Sequence, residues 1–174
     1  MAERERELLE GLFREHAEAV LGYALRRGAG ADDAAEVVSE VMLIAWRKLG
    51  EVPRGEEARF WLLGTARFVL ANQSRSRRRR TNLSERLSAE IEPESPASEQ
   101  AAGSELRETV LEAMRKLPEP DREVLLLEAW EELRPSEIAQ VLSLPPETVR
   151  SRLHRARARL RAELEPLIER EETR

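Results

Sequence analysis

The sequence predicts an all-α protein: two small helical domains joined by a flexible acidic linker. Three observations carry that reading. Ala, Leu, Glu and Arg dominate while aromatics make up only 4% of the chain, and these four are strong helix formers. Almost no stretch alternates apolar and polar side chains with β-branched residues, as a half-buried strand requires. Between two regions of helical periodicity, residues 81–104 turn to Ser, Glu, Pro and Ala, with Pro93, Pro96 and Gly103 as breakers. Such a composition buries too little apolar surface to offset the entropy of ordering it.

The first domain, residues 1–80, opens with a helical pattern from about Glu3 to Arg27, broken at Gly28-Ala29-Gly30. A second helix is expected from Asp32, a favoured N-cap type, to Leu49. Gly50 to Gly55, with Pro53 inside, reads as a loop. A third helix runs from about Glu56 into the arginines that follow Arg75. The second domain, residues 105–174, reads as four helices. The first spans Glu105 to Lys116 and stops at Leu117-Pro118-Glu119-Pro120. The next starts with Asp121 as N-cap and continues through Val124 to about Glu132. Pro135-Ser136 opens a short helix to Leu142, and Pro146, in the first-turn position that proline favours, opens the last. No internal repeat is present.

Composition excludes several classes. There is no Cys, so neither a disulfide framework nor a cysteine zinc site is available. The charged start MAERERELLEGLFREH lacks the apolar segment of a signal peptide, and no stretch is apolar enough to span a bilayer. A soluble cytoplasmic protein without membrane insertion is expected. Two His, no glycine-rich phosphate loop and no convergent acid–base cluster argue against an enzyme, and neither a cofactor nor a metal is expected.

The net charge of -5 hides its distribution: residues 1–80 carry +2, residues 81–105 carry -5 and residues 106–174 carry -2. Two blocks are densely basic. Arg75 to Arg80 holds five Arg in six positions, and Arg150 to Arg161 holds six Arg and no acid. Local basic patches on an acidic chain suit phosphate contact, with the acidic remainder limiting indiscriminate binding.

The stretch SEIAQVLSLPPETVRSRLHRARARL is laid out as a helix-turn-helix: a short helix, a turn of three or four residues, then a longer helix able to enter a major groove. At 100° per residue, Val149, Leu153, Ala156, Leu160 and Leu164 share one face, which must pack inward. Glu147, Ser151, His154 and Arg155 lie opposite. Arg150, Arg157 and Arg161 fall on one flank, Arg152 and Arg159 on the other. Polar groups along the centre with cations on both shoulders match a groove, where base edges lie between two phosphate walls. A solvated helix would normally lace its surface with acidic partners, and none stands within the run.

In the first domain, the second helix buries a broad face of Ala34, Val37, Val38, Val41, Ile44 and Ala45. Across from it sit Glu36, Ser39, Glu40, Leu43 and Arg47. Periodicity alone leaves open whether Leu43 is an ordinary surface residue or the apolar centre of a docking face. On the third helix Leu62, Leu63, Ala66, Val69 and Leu70 point inward. Trp61, Thr65, Phe68, Asn72, Arg75 and Arg79 share another side, next to Arg77 and Arg78. Rings that stack on bases, polar groups that read edges and arginines that hold phosphates suit a single strand. Either ring could equally be a core aromatic of a helical bundle.

These segments resemble a known family. EIAQVLSLPPETVRSRLHRARARLR and the upstream LPEPDREVLLLEAWEELRPSEIA closely resemble region 4 of the extracytoplasmic-function (ECF) sigma factors of bacterial RNA polymerase. DDAAEVVSEVMLIAW and ARFWLLGTARFVLANQSRSRRRR resemble region 2. The match covers about four-fifths of the chain, in the family's order and with a linker between. It implies that the last helix recognises the −35 promoter element as duplex DNA, with Arg150, Ser151, His154 and Arg155 at the family's groove-facing positions, and that this domain meets the flap of the polymerase β subunit; Glu147, Arg152, Arg157 and Arg159 are expected from the helical wheel to add contacts. It implies that Glu36, Ser39, Glu40 and Leu43 bind the β′ clamp of core RNA polymerase. It further implies that Trp61, Thr65, Phe68, Asn72, Arg75, Arg77 and Arg78 hold the melted −10 strand, with loop Glu51–Glu57 pocketing a flipped-out base, and that an anti-sigma factor is a partner.

The chain departs from the family at Ser143, usually Gly in the turn, and at Pro135. Phe68 stands where Asn is usual, Asn72 where Asp is common, and Ile44 where Arg is frequent. These changes bear on −10 preference more than on role. The competing class is a stand-alone helix-turn-helix regulator, normally a dimer on two half-sites. No heptad seam for such a dimer is present, and the Trp61–Arg79 stripe would have no purpose in it.

Overall fold

The computed structural model describes the backbone of residues 2–85 and 104–172 and, among these, the side chains of residues 3–76 and 108–166. Among the described residues seven helices follow one another: α1 (Ala2–Arg26), α2 (Ala31–Arg47), α3 (Glu56–Glu85), α4 (Ser104–Lys116), α5 (Glu119–Ala129), α6 (Pro135–Leu142) and α7 (Pro146–Glu172). No strand occurs among the described residues, so the all-α expectation holds. The chain divides into two compact units, within Met1–Ala97 and Ser98–Arg174. The backbone of α3 stays helical through Glu85, five residues into the segment expected to be linker; no Gly or Pro stands there to stop it. The rest of that segment, 86–103, lies outside the described residues.

In the first unit α1, α2 and α3 pack pairwise on one another. Val20, Tyr23 and Ala24 of α1 meet Val37, Val41 and Ala45 of α2 and Leu62, Leu63 and Ala66 of α3, all essentially out of water. The turn after α1 uses Gly28 at φ 83°. There the Ala29 N–H donates to Ala24 O (3.2 Å) and the Gly28 N–H to Leu25 O (3.0 Å), the paired bonds of a left-handed helix stop. The Arg27 guanidinium lies 3.4 Å from the centre of the Tyr23 ring. Gly30, not Asp32, is the N-cap of α2. Asp32 and Asp33 instead occupy the first turn, where the helix dipole favours negative charge.

His16 of α1 keeps only 13% of its side chain exposed, with Nε2 3.8 Å from a Glu15 carboxylate oxygen. Burial pushes its pKa below the ordinary 6.5; Glu15 opposes that shift and the positive charge of Arg59 on α3 adds to it.

In the second unit α4, α5 and α6 pack against α7, with Ile138, Val149, Leu153 and Ala156 buried between them. Asp121 is not the N-cap of α5. Pro118 caps it, Pro120 fits the first turn, and Asp121 is buried at 6% exposure. An early proline is compatible with the helix start, so the cap of α5 lies three residues sooner and the Asp121 carboxylate is released for another task. Arg122 closes the end of α4: its guanidinium donates to the carbonyls of Met114 (3.0 Å), Arg115 (3.2 Å) and Leu117 (3.0 Å). Pro135 starts α6, where Glu137 accepts the Arg134 backbone N–H at 2.7 Å and the Arg134 guanidinium at 2.6 Å.

α6 ends as α1 does, but on a residue with a side chain. Ser143 sits at φ 52° and ψ 46°, with Leu144 N–H donating to Ala139 O (3.0 Å) and Ser143 N–H to Gln140 O (3.3 Å). A left-handed non-glycine costs about 1–2 kcal/mol. Glu132, at φ 56°, holds a second such conformation before α6. No helix among the described residues is long and apolar enough to cross a membrane.

Candidate nucleic-acid interface

Two helix faces expose arginines beside polar or aromatic side chains. On α7 the inward row is Val149, Leu153 and Ala156, none more than 2% exposed. Burial of that row sets the roll of the helix and turns Glu147, Ser151, His154 and Arg155 out to solvent together, followed by the small, exposed Ala158 and Ala162. Arg150 and Arg161 on one shoulder are exposed and Arg152 on the other is half-buried. Among the described residues these four arginines of α7, Arg155 included, make no ion pair. Unpaired guanidiniums beside a polar strip leave forked donors available for base edges and phosphates.

Arg157 and Arg159 differ. Arg157 donates from Nε to Glu128 Oε2 at 3.3 Å and from Nη2 to Glu128 Oε1, and Arg159 is bonded to Asp121 Oδ2. The acidic partners missing from the helix itself come from α5. Sequence periodicity placed both arginines on the shoulders correctly, but it could not show what lies beneath.

On α3 the stripe assembles as spaced. Phe68, Asn72 and Arg75 are exposed, Trp61 and Thr65 half-buried beside them. Phe68 is 57% exposed, so it is no core aromatic. The Thr65 hydroxyl donates to Trp61 O at 2.9 Å, leaving its oxygen free to accept. Arg75 Nε donates to Ala71 O at 3.2 Å, which lays the guanidinium along the helix surface. Arg77 and Arg78 continue the helical backbone; their side chains lie outside the described set. The loop ends at Gly55 and α3 starts at Glu56, as the sequence predicts, so Glu56 and Glu57 of the segment implied to pocket a base stand in the first turn of α3. Gly55 (φ 68°) makes the bend, and Glu51 is held by Lys48 at 2.9 Å.

A third face lies on α2. Glu36, Ser39 and Leu43 are exposed and Glu40 half-buried, and Ser39 Oγ donates to Ala35 O at 3.0 Å. Leu43 is 49% exposed and Trp46, one turn on, 57%. Trp46 is the residue that sequence reasoning missed. The same helical wheel that set Leu43 apart from the apolar face puts Trp46 beside it, and an exposed indole is a characteristic anchor of protein interfaces.

This arrangement defines a class. Residues 12–80 match the model of sigma-70 region 2 and residues 107–160 that of sigma-70 region 4. The chain is 31% identical over 169 residues to the ECF RNA polymerase sigma factor SigL of Mycobacterium tuberculosis, covering 95% of this chain and 94% of that protein. It is 32% identical over 148 residues to the probable RNA polymerase sigma factor RfaY of Xanthomonas campestris, covering 83% of this chain but only 36% of the length of that relative. Among solved structures it resembles the sigma factor RpoE of Bartonella quintana, crystallised with the anti-sigma factor NepR, at a TM-score of 0.62 and 24% identity over 95% of this chain and 98% of that one. The chain belongs to the sigma-70 family of RNA polymerase sigma factors, in its ECF group, whose activity is promoter-specific initiation of transcription.

Proposed function

We propose that this protein divides promoter recognition between its two units while both are anchored to core RNA polymerase. Residues 1–80 serve as the −10 and clamp-binding domain, residues 105–174 as the −35 domain, and the acidic residues 81–104 as a tether. The reading helix α7 enters the major groove of the −35 duplex with Glu147, Arg150, Ser151, Arg152, His154 and Arg155. The α3 stripe of Trp61, Thr65, Phe68, Asn72 and Arg75, continued by Arg77 and Arg78, holds the −10 strand once it is unpaired. Stacking and pocketing of freed bases offset the cost of unstacking them, so opening needs no nucleotide hydrolysis. Glu36, Ser39, Glu40, Leu43 and Trp46 form the clamp-binding face, and the second unit meets the β flap.

In this reading the protein is a non-enzymatic, cytoplasmic subunit whose availability is set by an anti-sigma partner. The observation that carries it is Phe68, a large ring held 57% exposed in line with Asn72 and Arg75. A helical bundle has no packing reason to present such a ring, and a strand of bases does. Run-off transcription with core polymerase, with and without this protein, is the test. Promoter-specific transcripts should depend on the chain and fall with Phe68→Ala. Tight duplex binding by the protein alone with no such transcript would favour a stand-alone regulator instead.

A further inference from the structure

The two arginines of α7 that are tied down stand on opposite shoulders of the helix. Arg157 and Arg159 project about 200° apart around its axis, and each ends on an acid of the same underlying helix α5, Glu128 and Asp121. Those acids are seven residues apart, two turns along one side of α5. The helix therefore rests on α5 through its buried row and is braced on each flank. A smooth apolar row of Val149, Leu153 and Ala156 resists sliding poorly, because contacts between methyl groups have no direction. A forked, charge-assisted bond does have one. Asp121 keeps 8% of its side chain exposed, so it cannot exchange Arg159 for water without cost.

We infer that Arg157 and Arg159 are positioning residues, not phosphate contacts: with Glu128 and Asp121 they fix the roll of α7 and so choose which side chains face the bases. Groove contact is thereby left to Arg150, Arg152 and Arg155, and to Arg161 at the far end. The inference rests on the groove-reading role proposed for α7 and narrows it.

The two roles predict opposite signs for one substitution. Asp121→Asn removes a negative charge near the DNA-facing helix. If Arg159 holds a phosphate, this change frees it and tightens binding to every duplex. If Arg159 is a brace, the helix loosens, and preference for the specific duplex falls by at least about 5-fold, comparable with one mismatched base pair, while binding to unrelated duplex stays unchanged.

The test uses the full chain and a duplex enriched by it from a random-sequence pool, with a scrambled duplex as reference and binding measured across salt concentrations. Arg157→Gln, Arg159→Gln and Asp121→Asn should each lower the specific-to-scrambled ratio and leave the salt slope as in the unaltered chain. Arg150→Gln should shallow that slope by roughly 0.9, the signature of one phosphate contact. The charge-exchanged pair Arg157→Glu with Glu128→Arg should recover most of the ratio lost by Arg157→Glu alone, and it guards against a single variant that merely unfolds. A shallower slope for Arg157→Gln or Arg159→Gln, or no recovery by the exchanged pair, would overturn the bracing role. An unaltered chain that prefers no duplex sinks the groove reading itself, and the braces with it.

Discussion

The basic helices α7 and α3 distribute their arginines in different ways. Along α7 cations stand on both shoulders of a polar strip, and the helix is bound to its neighbours by a buried row and by ion pairs from Arg157, Arg159 and Glu163 to Glu128, Asp121 and Lys116. Along α3, among the described side chains, an aromatic and polar stripe runs down one side, and the exposed ring of Phe68 comes before Arg75. The difference matches the two forms of DNA. A duplex offers two phosphate walls around a row of base edges and rewards a rigid rod of fixed roll. A single strand offers one backbone and free base faces, so it rewards rings on a rail of charge.

The largest expected effect separates the two faces outright. Leu153→Ala removes a side chain 2% exposed from beneath α7 and should cost about 2–5 kcal/mol of stability in the second unit. Duplex binding should vanish in a gel-shift titration while affinity for a single-stranded oligonucleotide persists. Loss of both together would break the contrast. Phe68→Ala is the converse. It should weaken single-strand affinity by about 1–3 kcal/mol for the base it stacks and barely move the denaturation midpoint, because the ring is already 57% exposed. Unchanged oligonucleotide binding would show that the ring is not a platform. Arg155→Ala should cost about 1–3 kcal/mol at a single −35 position, read by competing duplexes altered one base pair at a time; uniform loss would make it a phosphate contact.

Two smaller effects sharpen the comparison of the units. Gly28 closes α1 and Ser143 closes α6 with the same left-handed bond pair. Ser143→Gly relieves about 1–2 kcal/mol of strain and adds about 0.4–1 kcal/mol of unfolded-state entropy, so it should raise the midpoint of the second unit slightly. A fall in the midpoint would mean the serine side chain contributes something there. In the first unit, burial lowers the His16 pKa below 6.5. Its unfolded form takes up a proton at a higher pH than its folded form. The associated stability is full above pH 6.5, declines as pH falls below that value, and levels off once the folded-state pKa is passed. His16→Gln should flatten that decline in urea titrations between neutral and mildly acidic pH.

Much of this was legible because a helix repeats every 3.6 residues. The wheel sorted α7 into a buried row, a polar strip and two shoulders, and it aligned Trp61, Thr65, Phe68, Asn72 and Arg75. It also separated Leu43 from the apolar face, yet Trp46 beside it was assigned to neither face. What stayed illegible depends on the second body in each contact. Asp121 has the chemistry of a cap and the spacing of one, and only the approach of Arg159 from 38 residues further on reveals it as a brace. Arg157 looked free because its acid lies 29 residues upstream. Local spacing says which way a side chain leans; it cannot say what is waiting there.

The guanidinium of Arg122 fills three carbonyls at the end of α4, and this limits how the second unit can be trimmed. A minimal fragment excised from Glu119 onward would keep α7 intact. It would strand a forked cation with its acceptors cut away, and it would uncover the side of α7 on which α4 lies. Lysine could not substitute, since a single ammonium cannot span a fan of three planar acceptors as the five N–H groups of arginine do. The smallest self-supporting version of the second unit therefore begins at Ser104, with α4 included.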